Sequence, residues 1–398
     1  MSDLEKDPIV IVSAARTPLG GFQGALAGVS GPELGACALS GAVERASLGA
    51  GDVDEVFMGC VLPAGVGQAP ARQAALRGGL EQSVPATTIN KVCGSGMKTV
   101  MLAADALAMG RASVAVAGGM ESMSNAPYLL PNARGGMRLG HGAAKDHMFL
   151  DGLEDAYEGR LMGTYAEDTA QHYQFSREAQ DDYALTSLAR SKAATEDGTF
   201  APEIVPVTIK GRKGEIVVEQ DEQPLSAQPD KIPTLKPAFA PDGTVTAANS
   251  SSISDGAAAL VMMRRSDADR RGLAPLAVIK GQAGHAQAPA WFTTAPVGAV
   301  GKLLEQVGWA ASDVDLFEIN EAFAVVAMAA MQELDLDHER VNIYGGACAL
   351  GHPIGASGTR IIVTLLNAMA QKGVTKGVAS LCIGGGEATA VALERPAA

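Results

Sequence analysis

Two cysteines, a histidine and an asparagine stand in settings from which a side chain can act on a small molecule. In Asn90-Lys91-Val92-Cys93-Gly94-Ser95-Gly96 the thiol immediately precedes an apolar-periodic run that predicts a helix. Free N–H groups and the dipole of a helix start favour an anion, so the Cys93 thiol is expected below its ordinary pKa, as a nucleophile. The competing use is a buried apolar Cys, but three small residues in a row point to close ligand approach. His352 lies in Gly351-His352-Pro353-Ile354-Gly355-Ala356-Ser357-Gly358, a tight loop ahead of another predicted helix, and is one of six histidines. Cys382 closes an apolar strand ahead of Gly384-Gly385-Gly386, where bare N–H groups can form an oxyanion hole. Asn320, in Glu318-Ile319-Asn320-Glu321-Ala322-Phe323, falls at a strand end, where open α/β sheets collect ligands; capping the following helix is an equal alternative. The same cysteines and histidine also suit a zinc site, but such sites want a fourth ligand or carboxylate support, and no metal is expected.

The elements that must bring these residues together occur twice. Pro8-Ile9-Val10-Ile11-Val12 resembles Pro275-Leu276-Ala277-Val278-Ile279, and Asp52-Val53-Asp54 answers Asp313-Val314-Asp315, each after a helix expected to close on Gly49 or Gly308. Gly94-Ser95-Gly96 and Ala356-Ser357-Gly358 each open a helical run, at nearly equal distances from Asp54 and Asp315. His352 therefore stands three positions before the counterpart of Cys93, and a pseudo-dyad would bring the two helix starts together. A closing strand repeats too, Gly256 to Arg265 matching Gly386 to Arg395. In the second half the last two strands form a tight hairpin, whereas in the first half residues 122–253 are inserted at that turn. The insert holds a Gly211-Arg212-Lys213-Gly214 turn and a Pro-rich stretch, and reads as a lid or binding domain. Short Val/Ile/Ala strands alternating with helices predict an α/β fold whose mixed, mostly parallel sheets are covered on both faces.

The 398 residues are 47% apolar and 19% charged with a net charge of −13, which fits a globular protein and argues against a nucleic-acid binder with a basic stripe. No apolar run reaches the ~18 residues of a membrane span. Five widely spaced cysteines without a Cys-x-x-Cys indicate a reducing compartment. The start, with Asp3, Glu5, Lys6 and Asp7, lacks the apolar core of a secretory signal, and the cytoplasm is expected.

Taken together, Cys93-Gly94-Ser95-Gly96, Asn320-Glu321-Ala322-Phe323, Gly351-His352-Pro353 and Cys382-Ile383-Gly384-Gly385-Gly386 resemble, in order and spacing, the boxes of the thiolase family, over essentially the whole chain. The resemblance implies a duplicated, five-layered α-β-α-β-α fold: a first half of residues 1–121 and 254–274, a loop domain of 122–253 for CoA binding and tetramer contacts, and a second half of 275–398. It implies acylation of Cys93, activation by His352, proton transfer at the substrate α-carbon by Cys382, and a water held by Asn320 in an oxyanion hole shared with His352. The N–H groups of Cys93 and Gly384 would form the other hole. Leu161, Met162, Phe239, Ser251 and Phe323 would line the acyl and pantetheine site. Short-chain biosynthetic members carry His-Met where Leu161-Met162 stands here, Asn at Tyr344, and in some cases Arg at Leu225. The implied reaction is ping-pong Claisen condensation of two acetyl-CoA to acetoacetyl-CoA and CoA, with no cofactor beyond CoA itself, in a homotetramer serving fatty acid metabolism. Degradative, broad-range thiolysis and a non-catalytic CoA-ester binding protein are the alternatives.

Overall fold

The computed structural model of the protein describes residues 6–211 and 214–396; Asp3, Glu5 and the Arg212-Lys213 pair of the expected turn lie outside the described residues. The first half runs β1 (Ile9–Arg16), α1 (Gly31–Arg45), β2 (Glu55–Gly59), α2 (Pro70–Arg77), β3 (Ala86–Ile89), α3 (Ser95–Ala108) and β4 (Val114–Ser122). Residues 123–253 follow, with α4 (Met162–Tyr173), α5 (Arg177–Glu196) and a hairpin of β5 (Val207–Gly211) and β6 (Gly214–Val218) as their main elements. Then β7 (Ser254–Arg264) returns antiparallel beside β4, with Asp255 opposite Ser122. The second half repeats the plan in β8 (Ala277–Ala286), α6 (Ala295–Val307), β9 (Leu316–Ile319), α7 (Ala324–Leu334), α8 (Ser357–Lys372), β10 (Lys376–Ile383) and β11 (Glu387–Glu394). Here the closing hairpin is direct, turning through Gly385 and Gly386 at φ of 91° and 87°, a region open to glycine without steric cost.

The strands lie in the order β9-β10-β11-β8-β1-β7-β4-β2-β3, and the equivalent strands β1 and β8 meet antiparallel through Val10–Val278 and Ile11–Ala277. The expectation of mostly parallel sheets is corrected. Only β2–β3, β2–β4 and β9–β10 pair in parallel, because the closing strand of each half runs back between its predecessor and the half's first strand.

Alternation along the strands sorts most of the core into three large apolar clusters, and with them the layers. Val114 and Val116 of β4 join Leu34, Ala38 and Leu39 of α1 on one outer face. Their neighbours Ala115 and Ala117 face inward, onto Met97 and Val100 of α3 and Ile361 and Leu365 of α8, which also meet Ala379 and Leu381 of β10. Val378 and Cys382 point the other way, toward Val300 and Leu303 of α6 and Val326 of α7. The result is helix, sheet, helix, sheet, helix, with α3 and α8 as the fully covered middle layer. That position explains their composition: a helix between two sheets must be small and apolar nearly all round. Gly308 closes α6 in the left-handed conformation as expected, but Gly49 does not close α1, which ends at Arg45 with Ser47 taking the positive φ.

Candidate active site

The turn that presents Cys93 is built by its neighbours. Asn90 Oδ1 accepts the Val92 N–H at 2.9 Å, and Ser95 Oγ accepts the Lys91 N–H at 2.9 Å while donating to the Val92 carbonyl at 2.6 Å. Val92 is thereby held at φ 44°, a strained value for a β-branched residue, one position before the thiol. Gly94 has no side chain because Ile383 of the second half occupies that space, 2.3 Å from where a Cβ would sit. Cys93, partly exposed, is thus set beside the end of β10 and ahead of α3.

Its thiol is not lowered as the helix-start argument expects. Burial pushes it up to about 11, against the lowering effect of the Gly384 and Cys93 N–H groups, with Glu121 adding a smaller upward push. Desolvation therefore outweighs the helix start. The thiol rests protonated and needs a base.

His352 lines the same cavity as Cys93. Its ring is buried, its Nδ1 lies 2.5 Å from Ser357 Oγ, and its Nε2 is buried without a partner. Burial, followed by the positive charge of Arg360, lowers the imidazole to about 3, so it is neutral at ordinary pH. Ser357 Oγ also lies 3.0 Å from the Pro353 carbonyl. When the hydroxyl donates there, it accepts from Nδ1–H and leaves Nε2 with a lone pair; when it donates to Nδ1 instead, Nε2 carries the proton. One hydroxyl thus supports both an accepting and a donating Nε2.

Asn320 is not a helix cap: α7 begins at Ala324 with Phe323 in the N-cap position. The amide is buried, its Nδ2 has no partner, and its Oδ1 lies 3.5 Å from Arg360 Nη2. Cys382 is fully buried on β10, its thiol pushed well up by burial and then by negative charge on Cys93.

One cavity of about 350 Å³ gathers most of the residues singled out from the sequence: Cys93, His352 and Gly384 with Leu161, Met162 and Ser251. Phe239 and Phe323 add an aromatic wall, 6.0 Å apart edge to face, and Phe292 extends it at 6.4 Å from Phe323. Gly163 leaves room for the Phe239 ring, 2.4 Å from where a Cβ would stand. Asn320 and Cys382 are buried and are not among the residues that line this cavity.

Sequence reasoning missed the supports. Ser357 and Arg360, in the first turn of α8, lie 2.5 Å from His352 Nδ1 and 3.5 Å from Asn320 Oδ1. Glu121, at the end of β4, is a buried carboxylate that accepts the N–H groups of Val61, Leu62 and Gly355 at 2.9, 3.2 and 3.0 Å. The signal for Glu121 was a lone acid closing an apolar strand after Gly118-Gly119. Among the described residues no group of three or more His, Cys, Asp or Glu is placed to hold a metal, and no helix is long and apolar enough to cross a membrane. A protonated thiol, a neutral imidazole with a free nitrogen, and amide N–H groups aimed at the sulfur can together carry out nucleophilic acyl transfer.

Comparison with known proteins agrees with this chemistry. Residues 9–266 match the family model described as thiolase, N-terminal domain, and residues 273–395 match thiolase, C-terminal domain. An acetyl-CoA acetyltransferase of Cupriavidus necator is 51% identical over 97% of this chain and 99% of its own length. One of Escherichia coli is also 51% identical, over 97% of this chain and 98% of its own. A probable acetyl-CoA acetyltransferase of Dictyostelium discoideum is 49% identical over 98% and 94%. With both family models matched in order along a duplicated five-layered fold, the chain belongs to the thiolase family.

Proposed function

We propose that the protein is an acetyl-CoA C-acetyltransferase, converting two acetyl-CoA into acetoacetyl-CoA and CoA through an acetyl-Cys93 intermediate. The observation that carries the reading is the meeting of Cys93 from one half with His352 from the other at a single apolar cavity, His352 Nε2 being buried and unpartnered. Nε2 takes the thiol proton as Cys93 attacks the acetyl carbonyl, and the oxyanion forms against the N–H groups of Cys93 and Gly384. CoA leaves with a proton from the Cys382 thiol, leaving a Cys382 thiolate beside a protonated His352. Cys382 then removes an α-proton from the second acetyl-CoA, whose enolate oxygen lies against His352 Nε2–H and a water held by Asn320. The enolate carbon attacks acetyl-Cys93, releasing acetoacetyl-CoA and the Cys93 thiolate, which takes its proton back from His352. A ping-pong order follows from the covalent intermediate. CoA is the only cofactor-like group, acting as substrate and product; the assembly is a homotetramer, in the cytoplasm, in fatty acid metabolism.

Leu161, apolar at the cavity wall, favours a second reading, broad-range thiolysis of longer 3-ketoacyl-CoAs. A thiolysis series from C4 to C10 tests both. A fall in kcat/KM beyond C4 supports the acetoacetyl-CoA reading; a steady rise replaces it with the degradative one.

A further inference from the structure

Among the described residues two arginines are fully buried, Arg16 and Arg360, and they are treated differently. Arg16 is saturated: Nε donates to Glu203, Nη1 to Asp221 Oδ1 at 2.8 Å and to the Thr17 carbonyl at 3.1 Å, and Nη2 to Asp221 Oδ2 at 2.8 Å. This is how a structural buried cation is held, since an unpaired donor in the interior is costly. Arg360 has Nε and Nη1 without hydrogen-bond partners, Glu318 no nearer than 3.8 Å, and one long contact, Nη2 to Asn320 Oδ1 at 3.5 Å. A guanidinium stays charged in such a place, and the Glu318 carboxylate at 3.8 Å offsets its field without a hydrogen bond.

The position of Arg360 gives that field a direction. It sits three residues after Ser357 on α8, on the side that meets β9, where Glu318 and Asn320 project to one face with the strand's period of two. Its hydrogen-bond partner is the side-chain oxygen of Asn320, at 3.5 Å. A donor there fixes the amide, turning Nδ2 away and leaving it free to donate. The charge also reaches His352, where it opposes an imidazolium. Glu318, Glu203, Glu321 and Arg16 are the other charged groups whose fields meet at Arg360.

We propose that Arg360 is a positioning residue for the Asn320–His352 oxyanion hole, holding the Asn320 amide in its donating orientation and supplying the buried positive charge behind the enolate. This rests on the acetyl-transfer reading above. The two half-reactions then depend on it with opposite sign. Enolate formation places negative charge in front of Arg360 and is helped. Acetylation of Cys93 begins with proton transfer to His352, which a neighbouring cation resists.

The test compares Arg360→Lys, and Arg360→Met combined with Glu318→Gln so that no lone charge is left buried, with the unmodified enzyme. Cys93 acetylation by acetyl-CoA is followed by mass spectrometry in a single turnover, and enolate formation by exchange of acetyl-CoA α-protons in D₂O. In the double variant exchange is expected to fall by about 10²-fold or more, the scale of losing an oxyanion stabiliser, while acetylation is no slower. The acidic limb of Cys93 alkylation should move to higher pH, as His352 becomes easier to protonate. Arg360→Lys keeps charge without the planar fork and should fall between. A purely structural role lowers both half-reactions by a common factor, and that result, in either variant, overturns the proposal; so does unchanged exchange. Absence of exchange in the unmodified enzyme would instead defeat the acetyl-transfer reading itself.

Discussion

The Gly355 N–H donates to the buried carboxylate of Glu121 at 3.0 Å, tying the loop that carries His352 in the second half to the end of β4 in the first. The same carboxylate holds Val61 and Leu62, so one side chain fastens three backbone groups behind the site. Burial raises Glu121 from an ordinary value of 4.5 to about 7. The folded protein thus binds this proton more tightly than the unfolded chain, and the associated stability is present below pH 4.5 and lost as pH rises to about 7. At 1.36 kcal/mol per pH unit the effect is of order 3 kcal/mol. Glu121→Gln removes that dependence and turns an amide nitrogen toward N–H donors. Chemical denaturation from pH 5 to 8 should show the variant less stable, with the gap narrowing as pH rises; a constant gap would refute the assignment.

Alkylation of Cys93 by iodoacetamide should report a thiol, not a resting ion pair. With Cys93 near 11 and His352 near 3, the rate should climb through pH 8 toward 11 rather than level off near neutrality. His352→Ala should slow alkylation at pH 7 to 8. A plateau between pH 5 and 9, located to Cys93 by peptide mapping, would mean that a thiolate–imidazolium pair forms after all.

Cys382→Ala should separate the half-reactions. Cys93 still takes acetyl from acetyl-CoA, whereas condensation and α-proton exchange drop by ~10² to 10⁴-fold, the range for losing a positioned acid or base. Exchange retained in this variant would transfer the role to another group.

Packing around Gly355 makes a sharp contrast between glycines. A Cβ at Gly119 would lie 2.0 Å from the Gly355 carbonyl oxygen, a backbone atom that cannot swing aside, while a Cβ at Gly284 meets nothing nearer than 3.9 Å. Gly119→Ala should cost about 1 to 3 kcal/mol and, by displacing the His352 loop, on the order of 10² in kcat/KM. Gly284→Ala should leave both within error. Thermal melts and steady-state rates measure the pair.

The duplicated plan was legible in the sequence because each half writes the same order of strand, helix start and closing strand, and because Cys93 and His352 occupy matched helix starts. Strand direction was less so: alternation of apolar residues reports which faces are covered, not which neighbour a strand chooses, and the antiparallel return of β7 depends on a partner more than a hundred residues away. The Cys93 thiol was misjudged for a related reason. Helix position is local and readable, but the burial that desolvates the thiol and the charge of Glu121 come from parts of the chain that only the fold brings near. Ser357 and Arg360 escaped notice because a Ser at a helix start and an Arg inside a helix are ordinary until their partners are known.

Cys93 and Gly355 hold equivalent places, each two residues before the Ser that opens α3 or α8. The two helix starts are not alike: one presents a thiol and the other a residue without a side chain. Gly355 lies where Gly59, Gly96 and Gly119 converge on its carbonyl, and a side chain of its own would come within 2.6 Å of Glu121. The vacancy of that position is what seats the base opposite the remaining thiol. A cysteine at this position would press on Glu121 and on the Met120 carbonyl, 2.6 and 2.7 Å from its Cβ, and so would disturb the first site rather than add a second.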